Sequence, residues 1–351
     1  MSKYLVIASP SIGGAERRFF DIFKSMNKNK EDIYLVAPSS LLQKLDNNYK
    51  LNDKIISIEL ARWSYVMFCF QFYFGVVSKS SKDDTFHYPL NPPFFLHYFP
   101  IRKFSISYCY CYAKPKISLK SIGLSFQRIA GVFASKVDVL SPAVYDELKK
   151  SDKKFSLTPG GSFVDAADFN TDGKKNDVAI ISRLEHGKGI DTYIKIVELL
   201  KSAELDLVQP LPKFRIYGEG TLKQRVENKV SDLSNRGVEV TYNGFASPQE
   251  ILSESGVVFS LQTTTNYPSR VVVESLLSGS QVIVLNSGDT QEFGQVVGLH
   301  YLNEDLSNLV EVFNAVSIEK MSTGIKKDIS EQAKVKFNSP SYLEYYKRVM
   351  E

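Results

Sequence analysis

Cysteine is scarce in this chain. Of 351 residues only Cys69, Cys109 and Cys111 are cysteines; they lie in apolar surroundings and show no metal-ligand spacing. That excludes a disulfide-stapled secreted scaffold and predicts reduced core thiols in a cytoplasmic protein. The four histidines, His87, His97, His186 and His300, have no ligand spacing with carboxylates, so no metal is expected. No charged-then-apolar leader precedes the apolar run at 4–8, and no secretory signal is expected. The aromatic run 63–77 is too short to be a transmembrane helix, with Gln71 inside it and Gly75 near its end, and it predicts a buried or interfacial helix. There is no short repeat, no low-complexity tract, no nucleic-acid motif and no Gly-x-Gly-x-x-Gly fingerprint, which counts against a dehydrogenase.

Acids are nearly absent from 60–136. Ten Lys or Arg stand there against Asp83 and Asp84, a net +8 within a chain whose total is +4, and the window holds 19 of the 43 aromatics. A basic, aromatic segment fits a membrane-surface face or a site for an amphiphilic anion. The alternative is a Phe/Tyr-rich core fringed by lysines that keep their charged ends in water.

What is present is an alternation of short apolar runs and amphipathic stretches. Strands are expected at 4–9, 33–37, 55–60, 85–88, 104–112 and 137–140, with helices at 63–77 and 120–135 and a further apolar stretch at 94–99. Thr158-Pro159-Gly160-Gly161 is the densest breaker cluster, and Asp172-Gly173-Lys174-Lys175-Asn176 is a polar linker, so a domain boundary is expected between them. The alternation then restarts: strands at 178–182, 214–217, 238–242, 257–261 and 282–285, with helices at 191–201, 221–233, 248–253 and about 269–278. The chain is therefore read as α/β, with two Rossmann-like doubly wound domains facing each other across a central cleft. The first is placed at 1–165 and the second at 176–335, with a last helix at 336–351 that packs back on the first domain.

The stretch 178–191 organises the second domain. An apolar strand leads into Arg183-Leu184-Glu185-His186-Gly187-Lys188-Gly189, and Asp191 is expected to cap the helix that follows. A strand, a basic glycine-containing loop and a helix N-terminus make an anion site at the C-terminal edge of a parallel sheet; the bland alternative is a surface loop with two solvated cations. In the first domain Gly13-Gly14, between a strand and a helix, lets the backbone pass close to a ligand.

Taken in order, these pieces resemble the retaining glycosyltransferases of family 4, which have the GT-B fold. Ser9-Pro10 with Gly13-Gly14-Ala15-Glu16-Arg17 is similar to that family's N-terminal glycine loop. Val139-Leu140-Ser141 and Thr158-Pro159-Gly160-Gly161-Ser162-Phe163 match the end of its first domain. Ser182-Arg183-Leu184-Glu185 with Lys188-Gly189 resembles its donor-phosphate loop. Tyr217-Gly218-Glu219-Gly220 and Tyr242-Asn243-Gly244 match two further sheet-edge loops, and Asn266-Tyr267-Pro268-Ser269-Arg270 through Glu274, with Gly279, is similar to its most diagnostic segment.

The resemblance implies transfer of a sugar from a nucleotide diphosphate sugar to a saccharide or polyprenyl-linked saccharide. It also implies a part in bacterial-type surface polysaccharide synthesis, with the enzyme peripheral on the inner face of the membrane through segment 60–136. Arg183 and Lys188 would hold the diphosphate as charge develops on it, so neither a metal nor another cofactor is expected. Asn266 would meet the donor sugar. Gly13, Gly14, Gly218, Gly220, Asn243, Pro268, Ser269, Arg270 and Glu274 would line the donor site, with Glu274 accepting ribose hydroxyls. Two departures stand out. The family has a glutamate eight positions before Glu274, where this chain has Asn266 preceded by Thr265, and a first-domain histidine expected near Tyr108-Cys109 is missing. They motivate a second reading, a degenerate scaffold that partners an active transferase. A third, a nucleotide-sugar epimerase, lacks an identifiable acid/base pair.

Overall fold

The computed structural model describes residues 1–90, 102–108, 130–148, 154–160, 162–172, 175–208, 210–263, 266–316, 323–337 and 339–351. The stretch 94–99, His97, Cys109, Cys111, most of the helix expected at 120–135 and the end of the strand expected at 104–112 lie outside them. The chain divides into two compact units, Met1–Pro159 with Ser339–Glu351, and Gly160–Asn338. Residues 160–165, which the sequence groups with the first domain, belong to the second unit because Val164 and Phe169 are buried in its core; Phe337 is buried there too.

Each unit is built on one parallel sheet. In the first, seven strands lie in the order β3-β2-β1-β4-β5-β6-β7: Ile55–Ile58, Ile33–Pro38, Lys3–Val6, Thr85–Tyr88, Lys103–Tyr108, Lys136–Val139 and Phe155–Leu157. In the second, six strands run β10-β9-β8-β11-β12-β13: Val240–Gly244, Lys213–Tyr217, Lys175–Ile181, Ser255–Ser260, Gln281–Leu285 and Leu299–Leu302. Parallel strands covered on both faces need apolar residues at successive positions. Strand β11 follows that rule: Val257 and Phe259 face the cluster containing Tyr193, Ile194 and Phe214, while Val258 faces the one containing Val272, Leu276 and Ile329. In each sheet the strand order reverses once, between β1 and β4 and between β8 and β11. Ligands of doubly wound folds bind outside the C-terminal ends of strands at such a switch point.

Charge and hydroxyl groups fasten the helix Ser339–Val349 to the first sheet. The first residues of four neighbouring strands each reach a carbonyl at its end: Lys3 Nζ donates to Lys347 O at 3.4 Å, Thr85 Oγ1 to Met350 O at 2.6 Å, Lys103 Nζ to Glu351 O and Lys136 Nζ to Arg348 O. Such carbonyls have no partner within a helix and carry the negative end of its dipole, so cations stabilise them. Further along the helix, Tyr345 and Tyr346 donate to Asp138 at 2.6 and 2.8 Å.

The aromatic run 63–77 forms the helix Tyr65–Gly75, capped by Ser64. Phe68, Cys69 and Phe72 are buried, whereas Val66, Met67, Phe70 and Phe74 are exposed. No helix among the described residues is long and apolar enough to cross a membrane. The helix at 191–201 is Ile190–Ser202, and its cap is Gly189 rather than Asp191. Gly189 sits at φ +85°, where a Cβ would lie 2.5 Å from Leu261 O, so a tertiary contact sets the entry to the helix. Asp191 falls in the first turn, where a negative charge suits the helix dipole, and pairs with Arg225 at 2.9 Å.

Candidate functional site

The loop leaving β8 is held by its neighbours on both sides. Ser182 N–H donates to Tyr217 O at 3.0 Å and Leu184 N–H to Glu219 O at 2.9 Å, which ties it to the loop after β9. Backbones meet so closely here that a Cβ on Gly218, at φ +137°, would stand 1.8 Å from Ser182 O. Gly218 and Gly220 therefore serve contact between two loops of the protein, Gly220 lying against Leu184. On the β11 side, Ser182 Oγ closes the loop onto Lys188 O at 3.0 Å and Lys188 Nζ donates to Gln262 Oε1 at 2.7 Å. Arg183 is exposed, and its guanidinium has no hydrogen-bond or ion-pair partner among the described residues. One cation is thus fixed by a neighbour and the other stands open at the end of the same strand.

Gln262 links Lys188 to the segment after β11. Its Nε2 lies 3.5 Å from Asn266 Oδ1, which also accepts the Ser260 hydroxyl at 2.9 Å, and Asn266 Nδ2 donates to Ser260 O at 3.1 Å. Asn266 is 1% exposed, so its carboxamide ties the loop to β11 from within. Its carbonyl accepts from Ser269 N–H at 2.6 Å, and Ser269 stands at the start of the helix Arg270–Leu277. One turn on, Glu274 is buried at 2% exposure and takes Arg270 Nε at 2.6 Å. It is an ion-paired interior carboxylate, not a solvated one.

Lys188, Gln262, Asn266, Ser269, Arg270 and Glu274 thus form a linked series across the ends of β8 and β11, with Arg183, Gly218 and Gly220 on the adjoining edge and Pro268 within the loop. Asn243 lies apart, exposed near the end of β10, and accepts the Thr241 hydroxyl at 2.8 Å. Gly13 and Gly14 belong to the other unit. Gly13 precedes the helix Gly14–Lys28, and the Ser9 hydroxyl donates to Glu16 Oε1 at 2.8 Å beside it. Two participants were not singled out in the sequence: Gln262, and Asp289 in the loop after β12, whose Oδ1 accepts N–H bonds from Asn266 and Tyr267. The breaker run Asn286-Ser287-Gly288-Asp289 following an apolar strand was the available signal for the latter.

His87 has no place at an open edge. It is fully buried on β4, with Nδ1 2.9 Å from Ser105 Oγ and Nε2 3.1 Å from Ser107 Oγ. Ser107 spends its one proton on Asp138 Oδ2 at 2.7 Å. It therefore accepts from Nε2–H, and Nδ1 takes the Ser105 proton. Burial lowers the pKa of this imidazole to about 4, with Asp138 opposing and Arg18 adding to the shift. Among the described residues no group of three or more His, Cys, Asp or Glu is arranged to hold a metal ion.

No family model matches this chain, and no curated protein matches it. Solved structures do. A glycosyltransferase from Rickettsia africae aligns over 100% of this chain and 99% of its own, with a TM-score of 0.72 at 16% identity. HepE of Anabaena, in complex with UDP and glucose, aligns over 99% and 98%, with a TM-score of 0.74 at 15% identity. WaaG, a glycosyltransferase involved in lipopolysaccharide biosynthesis, aligns over 99% of both chains, with a TM-score of 0.65 at 12% identity. Two parallel α/β units in series are what this chain shares with them, and its fold is that of the GT-B glycosyltransferases.

Proposed function

We propose that this protein is a retaining glycosyltransferase that moves a sugar from a nucleotide diphosphate sugar to a saccharide or lipid-linked saccharide in surface polysaccharide synthesis. The observation that carries this is the pair of cations after β8, Lys188 fixed on Gln262 and Arg183 exposed, at the switch point of the second sheet. As the glycosidic bond breaks, negative charge grows on the departing diphosphate. A guanidinium fork and an ammonium held in advance favour that charged state more than the bound donor, which is how such groups accelerate a reaction. The buried Glu274, oriented by Arg270, supplies an acceptor for ribose hydroxyls. The HepE structure with UDP and glucose bound supports the same class of donor.

The test is incubation with a panel of nucleotide sugars, following donor hydrolysis and transfer by mass spectrometry. Turnover of one donor that disappears in Arg183→Ala supports the reading, and binding without turnover of any donor supports the scaffold alternative. That alternative draws on one observation, the engagement of both the oxygen and the nitrogen of the Asn266 amide by the protein itself.

The acceptor side of the proposal rests on the helix Tyr65–Gly75. It carries no charge, and Val66, Phe70 and Phe74 recur at the spacing of one helical face, exposed at 51%, 41% and 64%. Arg62, Lys79 and Lys82 are exposed beside it in sequence. Phe68, Phe72, Phe86, Tyr88, Phe104 and Tyr108 are core, so the aromatic excess has two uses. The exposed face suits peripheral contact with an anionic bilayer on the cytoplasmic side. Co-sedimentation with anionic vesicles should be strong at low salt and weak at high salt; equal recovery with neutral vesicles would remove the electrostatic part.

A further inference from the structure

We infer that Asp289 is a positioning residue of the donor site, holding the loop between β11 and the helix Arg270–Leu277 through two backbone N–H groups. The inference rests on the donor-site reading above and names a residue that the sequence motif does not contain.

Asp289 is 8% exposed and reaches from the loop after β12 to the neighbouring loop after β11. Its Oδ1 accepts N–H bonds from consecutive residues, Asn266 at 2.8 Å and Tyr267 at 3.0 Å. Neither N–H has a ladder or helix partner, since both lie between a strand and a helix, and buried N–H groups require one. An ionised acceptor makes these bonds shorter and stronger than a neutral one does. Its other oxygen, Oδ2, is buried with no hydrogen-bond partner among the described residues. Burying a carboxylate with one oxygen unused is unfavourable, and the bonds to the loop are what offset it.

The support beneath Asp289 is itself pinned. The Ser287 hydroxyl donates to Gln262 O at 3.2 Å, and Thr290 Oγ1 to Ser287 O at 2.8 Å. From the fixed Asn266 backbone two lines lead into the site. One runs through the Asn266 amide and Gln262 to Lys188; the other through Asn266 O and Ser269 to the helix of Arg270 and Glu274. Releasing Asn266 and Tyr267 therefore disturbs the cation and the carboxylate together, although Asp289 touches neither.

Asp289→Ala and Asp289→Asn separate this from a general structural role. Amide hydrogen exchange over 260–277 is compared in the two variants and wild type, together with calorimetric titration by UDP, GDP, ADP and dTDP. Loss of two charge-assisted bonds should raise the exchange of the Asn266 and Tyr267 amides and the nucleotide Kd by about tenfold or more in Asp289→Ala. Asp289→Asn keeps a carbonyl acceptor and should stay within about threefold on both readouts. Wild-type protection and affinity in a folded Asp289→Ala overturn the inference. So does an Asn variant that fails as badly as the Ala variant, because an acceptor would then not be what matters. If Asp289→Ala does not fold, a threefold or smaller loss confined to this loop in Asp289→Asn supports the inference, and a loss spread evenly over the unit overturns it. Should wild type bind none of the nucleotides, the proposed function falls, and the exchange comparison still decides the positioning role by itself.

Discussion

The two units carry two polar networks that differ in closure. In the first, Asp138 is completely buried and accepts four hydroxyls, from Ser107, Thr158, Tyr345 and Tyr346, two to each oxygen. His87, held between Ser105 and Ser107, joins it with both ring nitrogens engaged. In the second, the series from Lys188 through Gln262 to Asn266 and Asp289 has loose ends: an exposed guanidinium at Arg183 and an oxygen on Asp289 with no partner among the described residues. A closed network specifies packing, because every lone pair is used and no ligand can enter. An open one at a switch point keeps polar groups that a ligand could meet, which is what the proposed function requires. Charge alone does not distinguish them; unused hydrogen-bonding capacity does.

Three changes sharpen that contrast, and the largest effect is expected in the closed network. Asp138→Ala leaves four buried hydroxyls without their acceptor and detaches the helix Ser339–Val349 from β6; it should destabilise the protein by about 4 kcal/mol. Chemical denaturation checks this, and a wild-type midpoint would mean the network is not a stability element.

Next is acid sensitivity at His87. Its folded pKa, about 4, lies below the ordinary 6.5, so between those values the unfolded chain binds a proton that the folded one does not. Stability contributed by the neutral imidazole is complete above pH 6.5 and is lost as pH falls toward 4, by about 3 kcal/mol in all. Facing it are Asp138, which favours the charged form, and Arg18, which opposes it. His87→Gln should flatten the pH dependence of the melting temperature across that window; an unchanged slope would assign the acid sensitivity elsewhere.

The smallest stability effect is expected in the open network. Asn266→Ala removes bonds to Ser260 and the contact with Gln262 and should cost about 1–2 kcal/mol, while slowing transfer by loosening Lys188. Nucleotide affinity should change little. A variant that transfers as fast as wild type would take Asn266 out of the chemistry and strengthen the scaffold reading.

Much of the fold was legible because parallel strands buried on both faces leave short apolar runs, and glycine-rich turns mark their ends. Several elements were not expected: the three-residue edge strand Phe155–Leu157, the seven-residue helices Ser39–Leu45 and Pro142–Leu148, and the strand and α-helices between β12 and the last helix, namely Leu299–Leu302, Leu309–Ala315 and the longer, more polar Thr323–Lys336. The candidate site was legible where chemistry and sequence neighbourhood coincide, as in the one loop that holds Arg183 and Lys188. It was not where partners lie far apart in the chain. Gln262 meets Lys188 across 74 residues, and Asp289 meets Asn266 across 23. Asp191 has the composition of a helix cap, but the cap is at Gly189 because Leu261 lies against it.

The central claim is that the open edge of the second sheet binds a diphosphate leaving group. Donor-dependent steady-state kinetics of Arg183→Ala and Lys188→Ala test it most directly, with Glu274→Gln as the internal contrast. Removing a preorganised group aimed at developing charge should lower kcat by about two to three orders of magnitude and raise KM far less. Glu274→Gln weakens a contact present throughout the reaction, so its loss should appear in KM. Wild-type kcat in both cation variants would contradict the account.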